Sequence, residues 1–278
     1  MKHNVKIGNN STLVCDGELK YITFNCFEPY KNRLVHCMST RIGGISTGEC
    51  SSLNLGFNRP DSRENVMENF NRLCSSIGVE TGSMVFSNQV HDNRIKIVTE
   101  ADKGKGFTHI SDIIGYDGLV TNVRGVTLVT FYADCVPVFF YDPEKNVTAL
   151  VHSGWRSTLR GISSEALTVM QKEYGCMPSG IIAAIGPSIG DCCFEVHEDV
   201  HTLFRQEFAC DKYYKNIGAG KWKIDLQGII FDMLVKCGVM PGNITKSGIC
   251  TVCRRDLFFS HRGDLGKTGS LAAFSQLR

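Results

Sequence analysis

The sequence lacks a clear excess of charge of either sign. It carries 30 Lys and Arg against 28 Asp and Glu in 278 residues, whereas proteins that bind nucleic acid through phosphate contacts normally carry a marked basic excess. It also lacks a long hydrophobic run. The longest uncharged stretch, 174–190, holds two prolines and four glycines, so it is too short and too broken to span a membrane. We therefore expect neither nucleic-acid nor membrane partners.

The features of a secreted, disulfide-bonded protein are missing as well. The chain begins MKHNVKIGNNSTLVCDG, which is polar and holds no apolar core of a signal peptide. Its 13 cysteines are an odd number and make up about 5% of the residues, below the share that marks a disulfide scaffold. We therefore expect a cytoplasmic protein with reduced thiols, most of them small buried hydrophobic side chains.

No internal repeat, low-complexity segment or linker divides the chain, which favours one compact domain over residues 1–278. Apolar runs bounded by turn residues predict strands, and apolar residues at helical spacing predict helices. The predicted strands cover 21–27, 34–39, 84–90, 95–99, 126–132, 136–141, 147–151 and 181–185, and the predicted helices cover 61–77, 158–174, 197–207 and 226–237. This mixture predicts an α+β fold in which mixed β-sheets form layers and the helices pack on the outside.

Three residues with metal-ligand chemistry fall at predicted strand ends. His91 follows one strand, Cys135 lies in the turn between two apolar strands, and His152 ends the strand NVTALV. Two imidazoles and a thiolate suit zinc, and three protein ligands with one open position describe a catalytic zinc site. On spacing alone, a buried cysteine and two hydrogen-bonded histidines explain the pattern equally well.

A set of motifs in a fixed order favours the metal site over the structural explanation. From about Val35 to the end, the chain resembles the laccase-domain family in these segments: TRIGGIS (40–46), SLNLG (52–56), NQVH (88–91), DGLVT (117–121), YADCVPV (132–138), VHSGWR (151–156), GPSIGDCCFEV (186–196) and FFSHRGDLGKTG (258–269). That family was first called multicopper polyphenol oxidases and was later recognised as zinc-containing purine nucleoside enzymes with phosphorolytic and adenosine-deaminating activities. The chain departs from the family pattern at Asp92, at Ser153 and in His261-Arg262-Gly263.

The resemblance implies that His91, Cys135 and His152 bind one zinc ion per chain, with copper as the alternative metal. It implies a single α+β domain of layered sheets. It also implies a purine nucleoside phosphorylase that acts on adenosine, inosine, guanosine or methylthioadenosine with phosphate and has adenosine deaminase activity. The oligomeric state is not predicted.

Three further residues are candidate catalytic groups. Arg156 lies just before a predicted helix and Arg41 lies in the glycine-rich loop TRIGG, so both are candidate ligands of an oxyanion such as phosphate. A surface arginine and a structural ion pair are the alternatives. Asp134 adjoins Cys135 and is a candidate for orienting a ligand histidine or accepting a proton, unless it is an ordinary turn aspartate.

Three polar residues are candidates for substrate binding. Asn88 and Gln89 could hydrogen-bond a purine or a ribose, although polar residues within a strand can equally face solvent. Asp117, in the turn Asp117-Gly118, has a carboxylate that could approach the site.

Three other patterns are weaker. His197-Glu198-Asp199-Val200-His201 fits the HExxH pattern of metalloproteases, but no third ligand follows, and an amphipathic surface helix is the favoured interpretation. Cys250-Thr251-Val252-Cys253 is a single CxxC motif, whereas a structural zinc site needs a second pair. By spacing, the adjacent Cys192-Cys193 is not a convincing partner, so we expect reduced thiols there. Gly266-Lys267-Thr268 ends like a P-loop but lacks the required first glycine.

Three alternatives to a zinc enzyme stay open at this point. A copper-dependent, laccase-like oxidase would need paired histidines for a trinuclear cluster, whereas the chain has eight histidines and no HxH pair. A metal-free cysteine hydrolase would use Cys135 as nucleophile with His91 or His152 as base. A binding module would hold a nucleoside or a metal without turnover.

Overall fold

Sixteen strands form three sheets in residues 2–278, the part of the chain that the computed structural model describes. In chain order they are β1 (Lys2–Ile7), β2 (Ser11–Asp16), β3 (Leu19–Phe24), β4 (Leu34–Ser39), β5 (Met84–Phe86), β6 (Ile95–Ile97), β7 (Gly118–Thr121), β8 (Thr127–Tyr132), β9 (Val136–Asp142), β10 (Val147–Ser153), β11 (Ile182–Ile185), β12 (Glu195–His197), β13 (Tyr214–Gly218), β14 (Lys221–Ile224), β15 (Ile244–Lys246) and β16 (Leu271–Leu277). The α-helices are α1 (Arg63–Ile77), α2 (Trp155–Leu159), α3 (Ile162–Tyr174), α4 (Glu198–Glu207) and α5 (Leu226–Lys236).

Two large mixed sheets form the body of the molecule. The first has the order β1-β2-β3-β4-β16-β8-β5, antiparallel except for the parallel pair β5 and β8. The second has the order β15-β11-β9-β10-β7-β6, with parallel pairs only at its two edges. A small antiparallel sheet, β12-β14-β13, lies beside α4.

The hydrophobic core has three layers, which fix how the sheets stack. Side chains such as Met38 and Phe139 fill the space between the two large sheets. The opposite face of the first sheet packs against α1 through Phe70, and the opposite face of the second packs against α3 and α5 through residues such as Met170 and Ile230. The result is a helix–sheet–sheet–helix stack, which confirms the predicted α+β layers with helices on the outside.

Strands β9 and β10 are buried throughout and mostly apolar because both of their faces are covered. In β9, Val138 and Phe140 face the helices, whereas Phe139 and Tyr141 face the other large sheet. Successive side chains of a strand point to opposite faces, so a strand between two packed layers needs apolar residues at both.

Helix α1 shows how local sequence sets its ends. The Ser62 side chain accepts a hydrogen bond from the backbone N–H of Asn65, and Gly78 ends the helix in the left-handed region at φ 71°. Between these caps, Val66 and Phe70 lie on the buried face. The prediction of a helix over 61–77 is therefore confirmed to within two residues.

Several predicted boundaries are wrong. The helix predicted over 158–174 is two helices, α2 and α3, because Gly161 adopts φ 72° between them. The strand predicted over 84–90 ends at Phe86. Strands β1, β2, β7 and β12 to β15 were not predicted. The exposed β1 has only two apolar residues, Val5 and Ile7, which is too few to indicate a strand. No helix among residues 2–278 is long and apolar enough to cross a membrane.

Candidate metal centre and ligand cavity

Three separate segments bring His91, Cys135 and His152 together. His152 lies in β10, Cys135 in the turn that crosses from β8 of the first sheet to β9 of the second, and His91 in the loop after β5. Their ligand atoms all lie within 4.8 Å of one another. The three residues therefore form one cluster, although His91 lies in a loop beyond the end of β5 rather than at the predicted strand end.

The cluster has the dimensions of a zinc site. The His91 Nε2 atom lies 3.9 Å from the Cys135 sulfur, and the two imidazole rings meet edge to face with centroids 4.9 Å apart. A tetrahedral ion with Zn–N bonds of about 2.05 Å and a Zn–S bond of about 2.3 Å would separate such atoms by about 3.6 Å. The donor set and the spacing therefore fit one zinc or one copper ion.

Asp117 holds the loop of His91 and the ring of His152 in place through hydrogen bonds. Its carboxylate is fully buried and accepts hydrogen bonds from the backbone N–H groups of Val90, His91 and Asp92 and from Nδ1 of His152, at 2.7 to 3.0 Å. Because Nδ1 of His152 is engaged, its Nε2 is the nitrogen left to face a metal. This geometry favours an orienting role for Asp117 over the substrate contact expected from the sequence.

The electrostatics of the metal-free cluster favour a thiolate at Cys135. Burial acts to raise the pKa of this thiol, but the neighbouring His152 and His91 outweigh it and lower the pKa to about 6. For His152, burial acts to lower the pKa, and the Cys135 thiolate and Asp117 reverse this and raise it. A thiolate is the form of cysteine that binds metals and attacks electrophiles.

Gly154 leaves room for the cluster. A Cβ atom at this position would lie 2.7 Å from Cδ2 of His91 and 3.1 Å from the Cys135 sulfur. Only a residue without a side chain fits here unless the ligands move.

A cavity of about 810 Å³ opens onto the cluster of His91, Cys135 and His152, a size typical of small-molecule sites. Its wall includes all three cluster residues together with six aromatic side chains, namely Phe57, Phe86, Phe131, Tyr132, Trp155 and Phe194. Polar residues on the wall include Asn88, Gln89, Asp134, Arg59, His261 and Arg262.

Both predicted amides line this cavity, but only Asn88 is exposed. The Gln89 amide donates to the carbonyl oxygen of Phe131 at 3.0 Å and accepts from its N–H at 2.7 Å. Gln89 therefore fixes the backbone that carries an aromatic wall residue, whereas Asn88 is free to meet a ligand.

Asp134 also lines the cavity, at φ 91° in the turn before Cys135. Its carboxylate accepts hydrogen bonds from the Thr251 hydroxyl at 2.6 Å and from the backbone N–H of Arg262 at 2.7 Å. The aspartate that contacts a histidine of the cluster is Asp117. Asp134 instead joins the turn of Cys135 to the segments 250–253 and 260–264.

The two predicted oxyanion ligands lie outside the cavity wall. The Arg41 guanidinium donates to the carbonyl oxygens of Ser51 and Arg255 and packs over the Phe259 ring. The exposed Arg156 lies over the ring of Trp155, 4.2 Å from its centroid. Neither is among the residues of 2–278 that line the cavity.

Two other arginines do reach the cavity, and the sequence interpretation did not single them out for phosphate. Arg59 donates from Nε to the Ser270 hydroxyl at 2.8 Å, and Arg262 donates from one terminal nitrogen to the carbonyl oxygen of Glu195 at 2.9 Å. The only sequence signal was their place beside the SLNLG motif and within FFSHRGDLGKTG.

The HExxH pattern does not build a metal site. His201 is buried and stacks on Trp222 with ring centroids 3.6 Å apart, and its Nδ1 lies 3.3 Å from Glu198. His197 is exposed at the end of β12, before the helix begins. Neither histidine belongs to a group of potential metal ligands in residues 2–278.

Comparison with known proteins gives consistent matches. Residues 35–278 match the model of a family described as multi-copper polyphenol oxidoreductase laccase. The chain is 35% identical over 238 residues to purine nucleoside phosphorylase YlmD of Bacillus subtilis, covering 85% of this chain and 86% of that protein. It is 30% identical over 286 residues to purine nucleoside phosphorylase LACC1 of Mus musculus, of which it spans 63%. The crystal structure of YlmD from Geobacillus stearothermophilus matches with a TM-score of 0.89 and 33% identity, over 95% of this chain and 98% of that one.

Proposed function

The chain belongs to the multi-copper polyphenol oxidoreductase laccase family, and from this premise we propose that it is a zinc-dependent purine nucleoside phosphorylase with adenosine deaminase activity. The observation that carries the proposal is the shared cavity of the His91, Cys135 and His152 cluster, whose wall combines aromatic rings and guanidinium groups. Relatives that bear the name purine nucleoside phosphorylase support the same activity.

The aromatic wall suits the base of a nucleoside. Phe131 and Phe57 are half-buried and line the same cavity as Asn88. A purine can pack between such rings while its edge nitrogens and oxygen meet the exposed amide of Asn88. Adenosine, inosine, guanosine and methylthioadenosine share this ring system, so we propose all four as substrates.

Phosphate would be held by arginine. Arg59 and Arg262 each carry guanidinium N–H groups beyond the one engaged by protein, and both line the cavity. Guanidinium groups bind phosphate through paired, charge-assisted hydrogen bonds. The geometry favours this pair over Arg41 and Arg156, the two arginines expected from the sequence.

In phosphorolysis, a phosphate oxygen bonds to C1′ of the ribose as the bond from C1′ to the purine nitrogen breaks, and the departing purine takes up a proton. In the protein, Arg59 and Arg262 would orient phosphate, and the aromatic wall would orient the base, so that the reacting atoms meet. A zinc ion bound by His91, Cys135 and His152 would supply Lewis-acid polarisation of a substrate atom.

Asp134 is the remaining candidate for proton transfer. Both of its carboxylate oxygens already accept hydrogen bonds from Thr251 and Arg262. Those contacts suit a residue that positions Arg262 at the cavity. We therefore propose Asp134 as a positioning residue first, and its proton-transfer role as the alternative that a pH–rate profile of Asp134→Asn would reveal.

The test is product analysis with the zinc-loaded full chain. Inosine with phosphate should give hypoxanthine and ribose 1-phosphate, and adenosine should give adenine with phosphate and inosine without it. Cys135→Ala should abolish both reactions. The absence of both ribose 1-phosphate and inosine from the zinc-loaded protein would overturn the proposal.

The phosphate assignment has its own matched test. Arg59→Ala and Arg262→Ala should raise the KM for phosphate about tenfold or more, since each removes a charged ligand worth about 1.5–3 kcal/mol. The control variants Arg41→Ala and Arg156→Ala make the same chemical change outside the cavity and should leave that KM within about twofold. The reverse pattern would assign phosphate to the second pair.

Two other functions are separated by simple observations. The low pKa of Cys135 favours a metal-free cysteine hydrolase as the second candidate. Such an enzyme would keep its activity in chelator and lose it on thiol alkylation.

The copper oxidase would need several histidines to hold a trinuclear copper cluster. In residues 2–278, the groups of potential metal ligands contain only two histidines, which does not support such a cluster. Copper analysis and a polyphenol oxidation assay test that model.

We further propose that residues 1–278 act as one domain and that the enzyme works in the cytoplasm. The continuous packing of both large sheets supports the first proposal, and limited proteolysis without stable fragments would test it. All 13 cysteines are free in the structure, which suits a reducing compartment. Cell fractionation would test the second.

A further inference from the structure

Four cysteines lie close together in a second cluster, separate from the cluster of His91, Cys135 and His152. The turn at 191–193 brings Cys192 and Cys193 to the turn at 250–253, which carries Cys250 and Cys253, and the four sulfur atoms all lie within 4.8 Å of one another. The sequence interpretation treated these two pairs as unrelated reduced thiols because 56 residues separate them along the chain, from 193 to 250. The fold corrects that expectation.

The spacing within this tetracysteine cluster resembles a metal site more than a disulfide. The Cys253 sulfur lies 3.5 Å from the sulfurs of both Cys192 and Cys193. A tetrahedral zinc with Zn–S bonds of about 2.3 Å holds its sulfurs about 3.8 Å apart. A disulfide needs about 2.05 Å and can join only two of the four cysteines.

The surrounding backbone also suits bound thiolates. The N–H of Gly190 donates to the Cys250 sulfur at 3.3 Å, and Cys250 is only 9% exposed. The Lys223 ammonium lies 2.5 Å from the carbonyl oxygen of Cys192. Four thiolates around a divalent cation carry a net charge of about −2, so N–H donors and a nearby ammonium stabilise them.

We propose that Cys192, Cys193, Cys250 and Cys253 form a second, structural metal site that takes Zn²⁺. On binding, the four S–H groups lose their protons to solvent and four Zn–S bonds form, with no change of oxidation state. Structural zinc sites are closed tetrahedra of this kind, and the Cys-x-x-Cys turn supplies two of the ligands in many of them.

The site would join two segments that build the ligand cavity. On one side, Ile189 and Phe194 flank the Cys192-Cys193 pair and line the cavity. On the other, Thr251 lies within the Cys-x-x-Cys turn and donates to Asp134, beside Cys135. The N–H of Thr251 also donates to the carbonyl oxygen of Ser188 at 2.9 Å. The tetracysteine site would therefore hold the cavity wall against the turn that carries Cys135.

The first test counts metal by elemental analysis of the full chain. Wild type should bind two zinc ions, Cys250→Ser/Cys253→Ser should bind one, and Cys135→Ala/His152→Ala should bind one. Cys210→Ser, a change at an exposed cysteine outside the cluster, should keep both. The proposal does not depend on the proposed activity, since a chain with two zinc ions and no turnover would still support it.

The second test leaves all four cysteines of the tetracysteine cluster in place. Its outcome therefore does not depend on whether a variant of that cluster folds. Cys192, Cys210 and Cys253 are the exposed cysteines, so zinc-loaded Cys135→Ala should show one fast-reacting thiol, that of Cys210, with a thiol-reactive disulfide. Chelation should raise that number to at least three. Cobalt in place of zinc should give the intense near-ultraviolet charge-transfer band of a tetrathiolate site.

Two outcomes would overturn the proposal. One is three fast-reacting thiols in the zinc-loaded protein. The other is a mass two hydrogen atoms lower than that of the reduced chain, with a peptide cross-link within the cluster and no second zinc, which would identify a disulfide.

Discussion

Replacement of Asp117 by asparagine tests most directly whether this carboxylate orients His91 and His152 for metal binding. The two residues have the same shape, but the amide offers one acceptor oxygen where the carboxylate offers two. One Asp117 oxygen accepts from the His91 N–H and from Nδ1 of His152, and the other accepts from the N–H groups of Val90 and Asp92. In either orientation of the amide, its NH₂ group must face donors.

The expected loss follows from these contacts. With the amide oxygen towards His152, the N–H groups of Val90 and Asp92 lose their acceptor. Hydrogen bonds to a charged group contribute about 1.5–3 kcal/mol each, so the free energy of unfolding should fall by about 3 kcal/mol even if the loop relaxes. With the NH₂ group towards His152, Nδ1 becomes the acceptor and the proton moves to Nε2, the nitrogen needed by a metal. Loss of such a partner lowers metal affinity about 10- to 100-fold.

Three measurements check this prediction. Competition with a chromophoric chelator gives the zinc affinity, urea denaturation gives the free energy of unfolding, and circular dichroism shows whether the variant is folded. The control is Asp112→Asn, the same chemical change at a side chain that is 75% exposed and contacts Lys105. A folded Asp117→Asn with zinc affinity within about twofold of wild type would refute the orienting role.

Three further predictions concern the cavity and the core. Gly154→Ala should lower zinc occupancy by elemental analysis because its Cβ would crowd Cys135, whereas Gly180→Ala, with open space at its Cβ, should not. Gln89→Leu should raise the nucleoside KM several-fold, with a smaller effect on kcat, because the Phe131 backbone loses both hydrogen bonds; an unchanged KM would contradict this. Burial lowers the pKa of His36 to about 3, below the unfolded value of about 6.5. The unfolded chain therefore binds the extra proton as the pH falls, and urea denaturation should show that the free energy of unfolding falls by about 2 kcal/mol between pH 7 and pH 5. His36→Gln should remove that loss, and an equal loss in the variant would contradict the assignment.

Short-range sequence signals were enough to predict the central elements and to single out the three residues that form the cluster of His91, Cys135 and His152. Strand β4 matches its predicted bounds, and the apolar runs of β8, β9 and β10 match to within two residues. Such runs are distinctive because both faces of a central strand are buried. Cys135 lies between β8 and β9, and His152 lies near the end of β10. His91 lies in the loop after β5, where the predicted strand is too long, so its position was predicted by the motif rather than by the strand pattern.

Long-range pairing explains what the sequence did not reveal. The role of Asp117 depends on the antiparallel register of β7 and β10, in which Gly118 pairs with Val151 and so brings Asp117 beside His152. The tetracysteine cluster depends on the bridge between Ser188 and Cys250. Local sequence spacing does not reveal either pairing, because both are set by packing between segments that are distant in the chain.

Strand β16 has a consequence for how the protein is made. It lies between β4 and β8 and pairs Leu277 with Leu34, which are more than two hundred residues apart in the chain. On a ribosome, the first large sheet can therefore close only after Leu277 has been synthesised. Until then, the apolar edges of β4 and β8 lack a partner and are open to aggregation. Such long-range pairing also predicts slow folding, so yield on expression should respond more to chaperones and growth temperature than stability of the finished protein would suggest.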